Sequence, residues 1–283
     1  VRANFYLSRY HVPDTDRIEP LTEARLADYW RLAHALEHVD GCGLLSCPWP
    51  MPPALQPLNE RLHGWKHGVE PAGIIYPTES GPAILDLCQT YAALKGRQLA
   101  EVFSGCVYLI SPLKLGEEEA KQLVFFWERG LEVGVRCMNT GGTTAPVTLA
   151  GLVTITLAEL LAVAMLRAAL YGRYCFGVFM ASTVADPRTL VRPFGAPGMV
   201  LANMMGAAMA RFYGVPAAGN SGVTDAKLPS AEAGSQKLMA TLATLLAGAD
   251  AGLEAGLLST DEVISPVQLI LDNELAGALR ALL

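Results

Sequence analysis

The residues with chemistry to offer collect at the ends of short apolar runs. Asn139-Thr140-Gly141-Gly142-Thr143-Thr144 closes one run, Ser182-Thr183 another and Asn220-Ser221-Gly222-Val223-Thr224-Asp225 a third, while Glu254 lies within or just after a fourth. Small residues let backbone approach a ligand, and short hydroxyls and amides fix it without presenting a strong nucleophile. Trp49, Tyr76, Tyr108 and Phe179 fall near the same ends, and Tyr108 and Phe179 are candidate faces for a ligand cation, worth about 0.5–2 kcal/mol each when desolvated. Asp186, Asp225 and Glu254 offer negative potential for an ammonium; Arg136, Arg188 or Lys227 could meet a carboxylate. The candidate lining is thus Tyr108, Asn139, Thr143, Thr144, Phe179, Ser182, Thr183, Asn220, Thr224, Asp225, Lys227 and Glu254. The plainer reading is turns, helix caps and structural ion pairs. It weighs most on Thr143, Thr144 and Thr224, which precede a helix or turn, and on Lys227, just before Pro229.

Other chemistries leave no trace. The chain has no G-x-x-x-x-G-K-[ST], no G-x-G-x-x-G and no G-x-S-x-G. All five His (11, 34, 38, 63 and 67) lie in the first quarter, which argues against a His-based nucleophilic triad. His34-Ala35-Leu36-Glu37-His38 fits H-x-x-E-H, yet the helix should end at Asp40-Gly41 and no third ligand is evident, so a polar helix face is expected rather than zinc. Cys106, Cys137 and Cys175 sit in apolar runs and read as core thiols, and the pair Cys42 and Cys47 is too sparse for a metal site.

These residues need elements to position them. Strands are expected over 41–49, 72–77, 104–111, 133–139, 174–182, 215–222 and 249–258. Helical patterns fill 22–39, 82–95, 117–130, 147–170, 198–213, 231–247 and 265–282. Such alternation points to an α/β fold, a TIM (β/α)8 barrel, with a doubly wound sheet as the competing architecture. An eighth strand is not visible. Residues 1–21 read as an irregular or hairpin-like entry, with 4–7 and 17–19 extended, and 22–283 as the barrel domain. The chain opens at Val1 without Met and stops inside a helical pattern, so truncation at either end is an expectation.

Of the 283 residues 52% are apolar and 17% charged, against a charged share of about 25% in ordinary domains. That composition excludes intrinsic disorder. A net charge of −6 without a basic stripe disfavours nucleic acid and anionic membrane surfaces. The run 152–170 is long enough to span a bilayer but carries Glu159 and Arg167, so a buried helix is expected. Six Cys without a signal peptide suit a cytoplasmic protein.

A further set of residues is familiar as an ordered group. Ser111-Pro112-Leu113, the stretch from Gly142-Thr143-Thr144-Ala145-Pro146 to Ala150-Gly151, Thr224-Asp225-Ala226-Lys227-Leu228-Pro229, Ala233-Gly234 and Lys237 come first. Gly248-Ala249-Asp250, Gly256-Leu257-Leu258 and Leu271-Asp272-Asn273-Glu274-Leu275 follow. From about residue 20 to its end the chain resembles the trimethylamine methyltransferase (MttB) superfamily. The resemblance implies a TIM-barrel enzyme that moves a methyl group from a methylated amine to Co(I) of a corrinoid protein. No pyrrolysine is written here, so the non-pyrrolysine branch is implied, whose members demethylate quaternary amines such as glycine betaine. The corrinoid cofactor would sit on a partner protein, no metal would be held by this chain, and a homo-oligomer is open. Glu254 stands where the family more often has a small or neutral residue. A metal- or phosphate-dependent lyase or isomerase, and an inactive barrel serving as a binding or assembly subunit, remain the alternatives.

Overall fold

The computed structural model describes residues 2–3, 9–44, 50–71, 73, 75–250 and 253–283. Elements alternate along the chain. A short strand β1 (Arg2–Ala3) precedes a hairpin, β2 (Arg9–Val12) and β3 (Arg17–Pro20), and then helix α1 (Glu23–Ala35). Next come β4 (Gly41–Leu44), α2 (Gln56–Lys66), β5 (Glu70–Pro71), α3 (Gly81–Lys95), the single turn α4 (Leu99–Val102), β6 (Cys106–Tyr108) and α5 (Glu117–Trp127). The second half holds β7 (Gly134–Arg136), β8 (Thr140–Gly141), α6 (Leu149–Tyr171), β9 (Val178–Met180), β10 (Thr183–Val184), α7 (Pro197–Tyr213), β11 (Ala217–Gly219) and α8 (Ala231–Leu246). It ends with β12 (Leu257–Leu258), β13 (Val263–Ile264) and α9 (Pro266–Leu282).

Local chemistry accounts for the helix ends. Thr22, Thr148, Ser230 and Ser265 each accept a backbone N–H of the first turn, and α3, α6 and α7 stop at left-handed Gly96, Gly172 and Gly214. Helix α2 was not expected. Its Pro57 sits at the start of the helix, where the missing N–H costs nothing, but the Pro-rich stretch before it reads as loop.

The fold is mixed α/β. Parallel pairing joins β1 to β4 and β4 to β5, β6 to β7, β8 to β10 and β9 to β11. Single backbone bonds extend these ladders: Cys106 N to Gly73 O at 2.8 Å, Asp250 N to Ala217 O at 2.9 Å and Glu254 N to Ser221 O at 3.1 Å. Thus Asp250 and Glu254 lie beside Ala217 and Ser221, and parallel strands follow in chain order with helices between them. Among the described residues, however, the ladders form separate short sheets, and no closed barrel is traced. No ladder among the described residues joins β7 to β9, and a cavity of about 400 Å³ is lined by Val135 of β7, Phe179 of β9 and Ala218 of β11, with Leu160 and Val163 of α6.

The 1–21 segment contains the β2–β3 hairpin, which pairs through β2 with β13; the expected strand at 4–7 lies outside the described residues, as do Cys47 and Trp49. The main core packs Ile84, Leu123, Phe126, Leu152, Leu160 and Met180 between α3, α5, α6, α7 and the strands. A second core gathers Leu26, Tyr29, Trp30, Met199, Val223 and Leu269 around α1 and α9. Helix α6 is the one helix among the described residues long and apolar enough to cross a membrane. Its two charges are buried and engaged: Glu159 accepts hydrogen bonds, and Arg167 pairs with Glu132.

Candidate functional site

A cavity of about 1200 Å³ opens among the strands, with Arg136, Phe179, Ala218, Gly219 and Glu254 on its wall. Parallel register sets Tyr108 beside Arg136, and Ala218 beside Phe179. The cation found over the two aromatic rings is Arg136. Its guanidinium stands 4.8 Å from the Phe179 centroid and 5.9 Å from that of Tyr108, whose hydroxyl accepts from Nη1 at 3.3 Å. The faces expected for a ligand cation are therefore in contact with a protein side chain.

Glu254 is one of five carboxyl side chains on this wall, with Asp40, Glu70, Glu101 and Asp250. Burial pushes Glu254 up to about 7, against Arg136 and Lys237, which favour its charged form; the neighbouring Asp261 pushes the same way as burial. Its Oε2 is buried with no hydrogen-bond partner. Asp261 is likewise raised by burial, with Arg192 the cation that opposes the rise, and burial lowers Arg192. The charges of Arg136 and Asp261 both act on Glu254, and that of Asp261 also acts on Arg192. Sequence reasoning missed Arg192 and Asp261. Both lie on loops without periodicity, where a charge gives no signal.

The other expected residues hold that group in place. Asp225 accepts from Phe194 N at 2.9 Å and Gly195 N at 2.8 Å, and Thr183 Oγ1 donates to Pro193 O at 3.1 Å, so both fix the loop carrying Arg192. Thr224 Oγ1 donates to Gln236 Oε1 at 2.6 Å, its carbonyl accepts from Thr260 N at 2.7 Å, and Lys227 Nζ donates to Ser259 Oγ at 3.0 Å. These tie down the loop carrying Asp261. Beneath Glu254, fully buried Lys237 donates to Gly222 O at 2.5 Å, Glu254 O at 3.2 Å and Asp272 Oδ2 at 2.8 Å. Gly222 has φ +78°, and a Cβ there would lie 2.7 Å from Glu254 N, so this close approach requires glycine.

Asn139 and Ser182 work on the α6 side. Glu159 accepts from Asn139 Nδ2 at 2.7 Å, Ser111 Oγ at 3.0 Å and Leu113 N at 2.6 Å, while Ser182 shares a 3.0 Å hydroxyl contact with Thr156. Asn139 Oδ1 and Ser221 Oγ are buried without a partner. Asn220 is buried, and its N–H donates to Met180 O at 3.0 Å. Thr143 and Thr144 close their own turn, through Thr143 Oγ1 to Thr140 O at 3.2 Å and Thr140 N to Thr144 Oγ1 at 2.9 Å. Asp186 and Arg188 pair with each other, and that contact holds the exposed Asp186 carboxyl below its usual range.

Among the described residues the thiols are poor nucleophiles. The five described cysteine thiols are all raised by burial, Cys42 to about 11. Helix α1 ends at Ala35, so His34 and His38 do not share a helix face, and His34 Nε2 contacts His67 O at 3.0 Å. Among the described residues no three His, Cys, Asp or Glu side chains form a group able to hold a metal. The arrangement can desolvate and orient a charged ligand.

The profile of a family described as trimethylamine methyltransferase (MTTB) matches residues 20–283. A trimethylamine methyltransferase MttB of Methanosarcina thermophila is 30% identical over 181 residues, 63% of this chain and 37% of that protein. A glycine betaine methyltransferase of Desulfitobacterium hafniense (strain Y51) is 32% identical over 171 residues, 60% of this chain and 36% of that protein. The match therefore spans little more than a third of the length of these relatives.

Proposed function

From the premise that this chain belongs to the trimethylamine methyltransferase (MTTB) family, we propose that it moves a methyl group from a quaternary methylated amine of the betaine class to a corrinoid carried by a partner protein. Its frame is read as a (β/α)8 barrel, which the chain-order succession of parallel strands and helices supports. The observation that carries the reading is Glu254: a buried carboxyl with an unpartnered oxygen on a cavity wall shared with Phe179.

A quaternary ammonium is already activated, because its leaving group is a neutral tertiary amine. No general acid is required of the protein. The corrinoid supplies Co(I) as nucleophile, and the C–N electron pair departs with the amine. What is left to this chain is to strip water from the cation, fix one N–methyl bond toward the strand ends and stay inert. Glu254 faces the ammonium, and Asn139 Oδ1 and Ser221 Oγ offer further polar contacts. Burial raises the five described thiols, which keeps them protonated and the methyl group from being intercepted.

The test is spectroscopic. Protein is mixed with reduced Co(I) cobalamin and a set of trimethylammonium compounds, and the Co(I) absorption band is followed. Loss of the band with a quaternary amine, and none with trimethylamine, is expected. Loss with no compound, repeated with a cognate corrinoid protein, overturns the proposal.

A further inference from the structure

Among the described residues Arg192 closes no ion pair, although the charge of Asp261 acts on it. Arg192 lies on the loop between β10 and α7, and its surroundings leave it little freedom. Asp225 and Thr183 anchor residues 193–195, and Asp186 closes the loop's base through Asp186 N to Val191 O at 3.0 Å and Leu190 N to Asp186 O at 2.8 Å. The guanidinium stands 5.3 Å from the Phe194 ring centroid and donates from Nη2 to Ala181 O at 2.5 Å, at the end of β9. Nε is buried with no partner. Among the described residues no carboxylate lies within ion-pairing distance of it, whereas buried Arg167 and Lys237 close on Glu132 and Asp272.

Desolvating a guanidinium without a counter-ion is costly, and so is holding a carboxyl oxygen in the interior without a donor. Here the two groups have opposite sign and stand at neighbouring strand ends: Arg192 Nη2 donates to Ala181 O, the preceding Met180 O accepts from Asn220 N at 3.0 Å, and Ser221 O accepts from Glu254 N at 3.1 Å. A ligand that relieves both must carry a cation and an anion together. The Nε and Nη2 edge of a guanidinium takes a carboxylate side-on. Arg136 is less suited, because its guanidinium is taken up by two aromatic rings and the Tyr108 hydroxyl.

We propose that Arg192 is a specificity-determining residue: it receives the carboxylate of a zwitterionic methylated amine whose ammonium faces Glu254. This rests on the reading of the chain as a methylated-amine methyltransferase and assigns the residue that separates betaines from amines lacking a carboxylate. Thr183 and Asp225 are then positioning residues, acting through the Arg192 loop.

Equilibrium binding tests this without any corrinoid. Glycine betaine and choline carry the same trimethylammonium group, and only the first has a carboxylate. Calorimetric titration of the full chain should show glycine betaine bound more tightly than choline. Arg192→Gln should weaken glycine betaine about 10- to 100-fold, the range of a lost charge-assisted pair, and choline by less than about 3-fold. Arg192→Lys, which keeps the charge without the fork, should recover part of the preference and decides the matter if the glutamine variant does not fold. Unchanged glycine betaine affinity in Arg192→Gln, or equal losses for both ligands, overturns the assignment while leaving the methyltransferase reading intact. A wild-type chain that binds neither ligand overturns both.

Discussion

Lys237 with Asp272, and Arg192 with Asp261 and Glu254, are built from the same materials a few residues apart, and they are opposite in condition. Every proton of the Lys237 ammonium has an acceptor, in Gly222 O, Glu254 O and Asp272 Oδ2, and Asp272 also takes Gly256 N at 2.7 Å and Gln268 Nε2 at 2.8 Å. That network satisfies both charged groups, the ammonium and the Asp272 carboxylate, and leaves only its neutral Gln268 Oε1 buried without a partner. In the upper group Arg192 Nε and Glu254 Oε2 have no partner, and Asp261 is not within ion-pair reach of Arg192. A network whose charges are satisfied fixes backbone; one left open at a strand mouth leaves valences for something that arrives. The lower group positions, and the upper group is free to bind.

Breaking the lower network should have the largest effect. Lys237→Met removes the cation and leaves Asp272 buried and uncompensated, at a cost of ~3–5 kcal/mol of unfolding free energy. Urea denaturation reads this directly. The same variant should weaken ligand binding only as far as the 222 and 254 backbones shift. A loss under ~1 kcal/mol would show that Asp272 is rescued by Gly256 N and Gln268, and would dissolve the distinction between the two groups.

The lower group was far more legible in the sequence than the upper. Lys237 and Asp272 belong to the residues that carry the family resemblance, and Asp272 lies on a helix whose apolar pattern locates α9 to within a residue of its start. Helices α3, α7 and α8 are similarly clear, because burial of one face forces a 3.6-residue period, and α6 is clear as a long apolar run. Strands were over-read, 104–111 against Cys106–Tyr108, since apolar character persists beyond the paired residues. At the strand mouths, residue type marked the right segments but could not say which groups were already satisfied. Thr183, Thr224 and Asp225 have the composition of ligand contacts, and their partners are loops from elsewhere in the chain. Arg192 and Asp261 were invisible, since the desolvation that distinguishes them from ordinary loop charges comes from long-range packing. Ring closure was equally beyond sequence, because it depends on register between segments far apart.

The upper group can be probed by pH. Glu254 is held at about 7, above the ordinary carboxyl range near 4.3 that it has when unfolded. The folded state therefore holds this proton more tightly than the unfolded one. Its stabilising contribution is complete below about 4.3 and is lost as pH rises through 7. Glu254→Gln keeps the neutral form at every pH, so it should come close to wild type near pH 4.5 and exceed it at pH 8 by ~3–4 kcal/mol. Thermal melts at both pH values check this. Ligand binding should run the other way, strengthening in wild type as the carboxylate ionises and weak throughout in the variant. Equal stability at pH 8 would mean that Arg136 and Lys237 already neutralise Glu254, and the upper group would be as complete as the lower.

The smallest effect expected belongs to a residue in neither group, and it calibrates the other two. Thr143 is exposed, and its hydroxyl donates only to Thr140 O. The turn keeps its shape through backbone bonds without that hydroxyl, from Gly142 N to Ala145 O at 2.8 Å and from Thr144 N and Ala145 N to Thr140 O at 3.0 and 3.1 Å. Thr143→Ala should therefore change stability by no more than ~0.5 kcal/mol, as for most surface substitutions, and leave glycine betaine affinity as it was. Residue type and position at a strand end are the same for Thr143 as for Thr183, which holds the Arg192 loop. If Thr143→Ala weakens binding as strongly as Arg192→Gln, the mouth binds through its rim hydroxyls, and unsatisfied charge is not what separates the binding group from the rest.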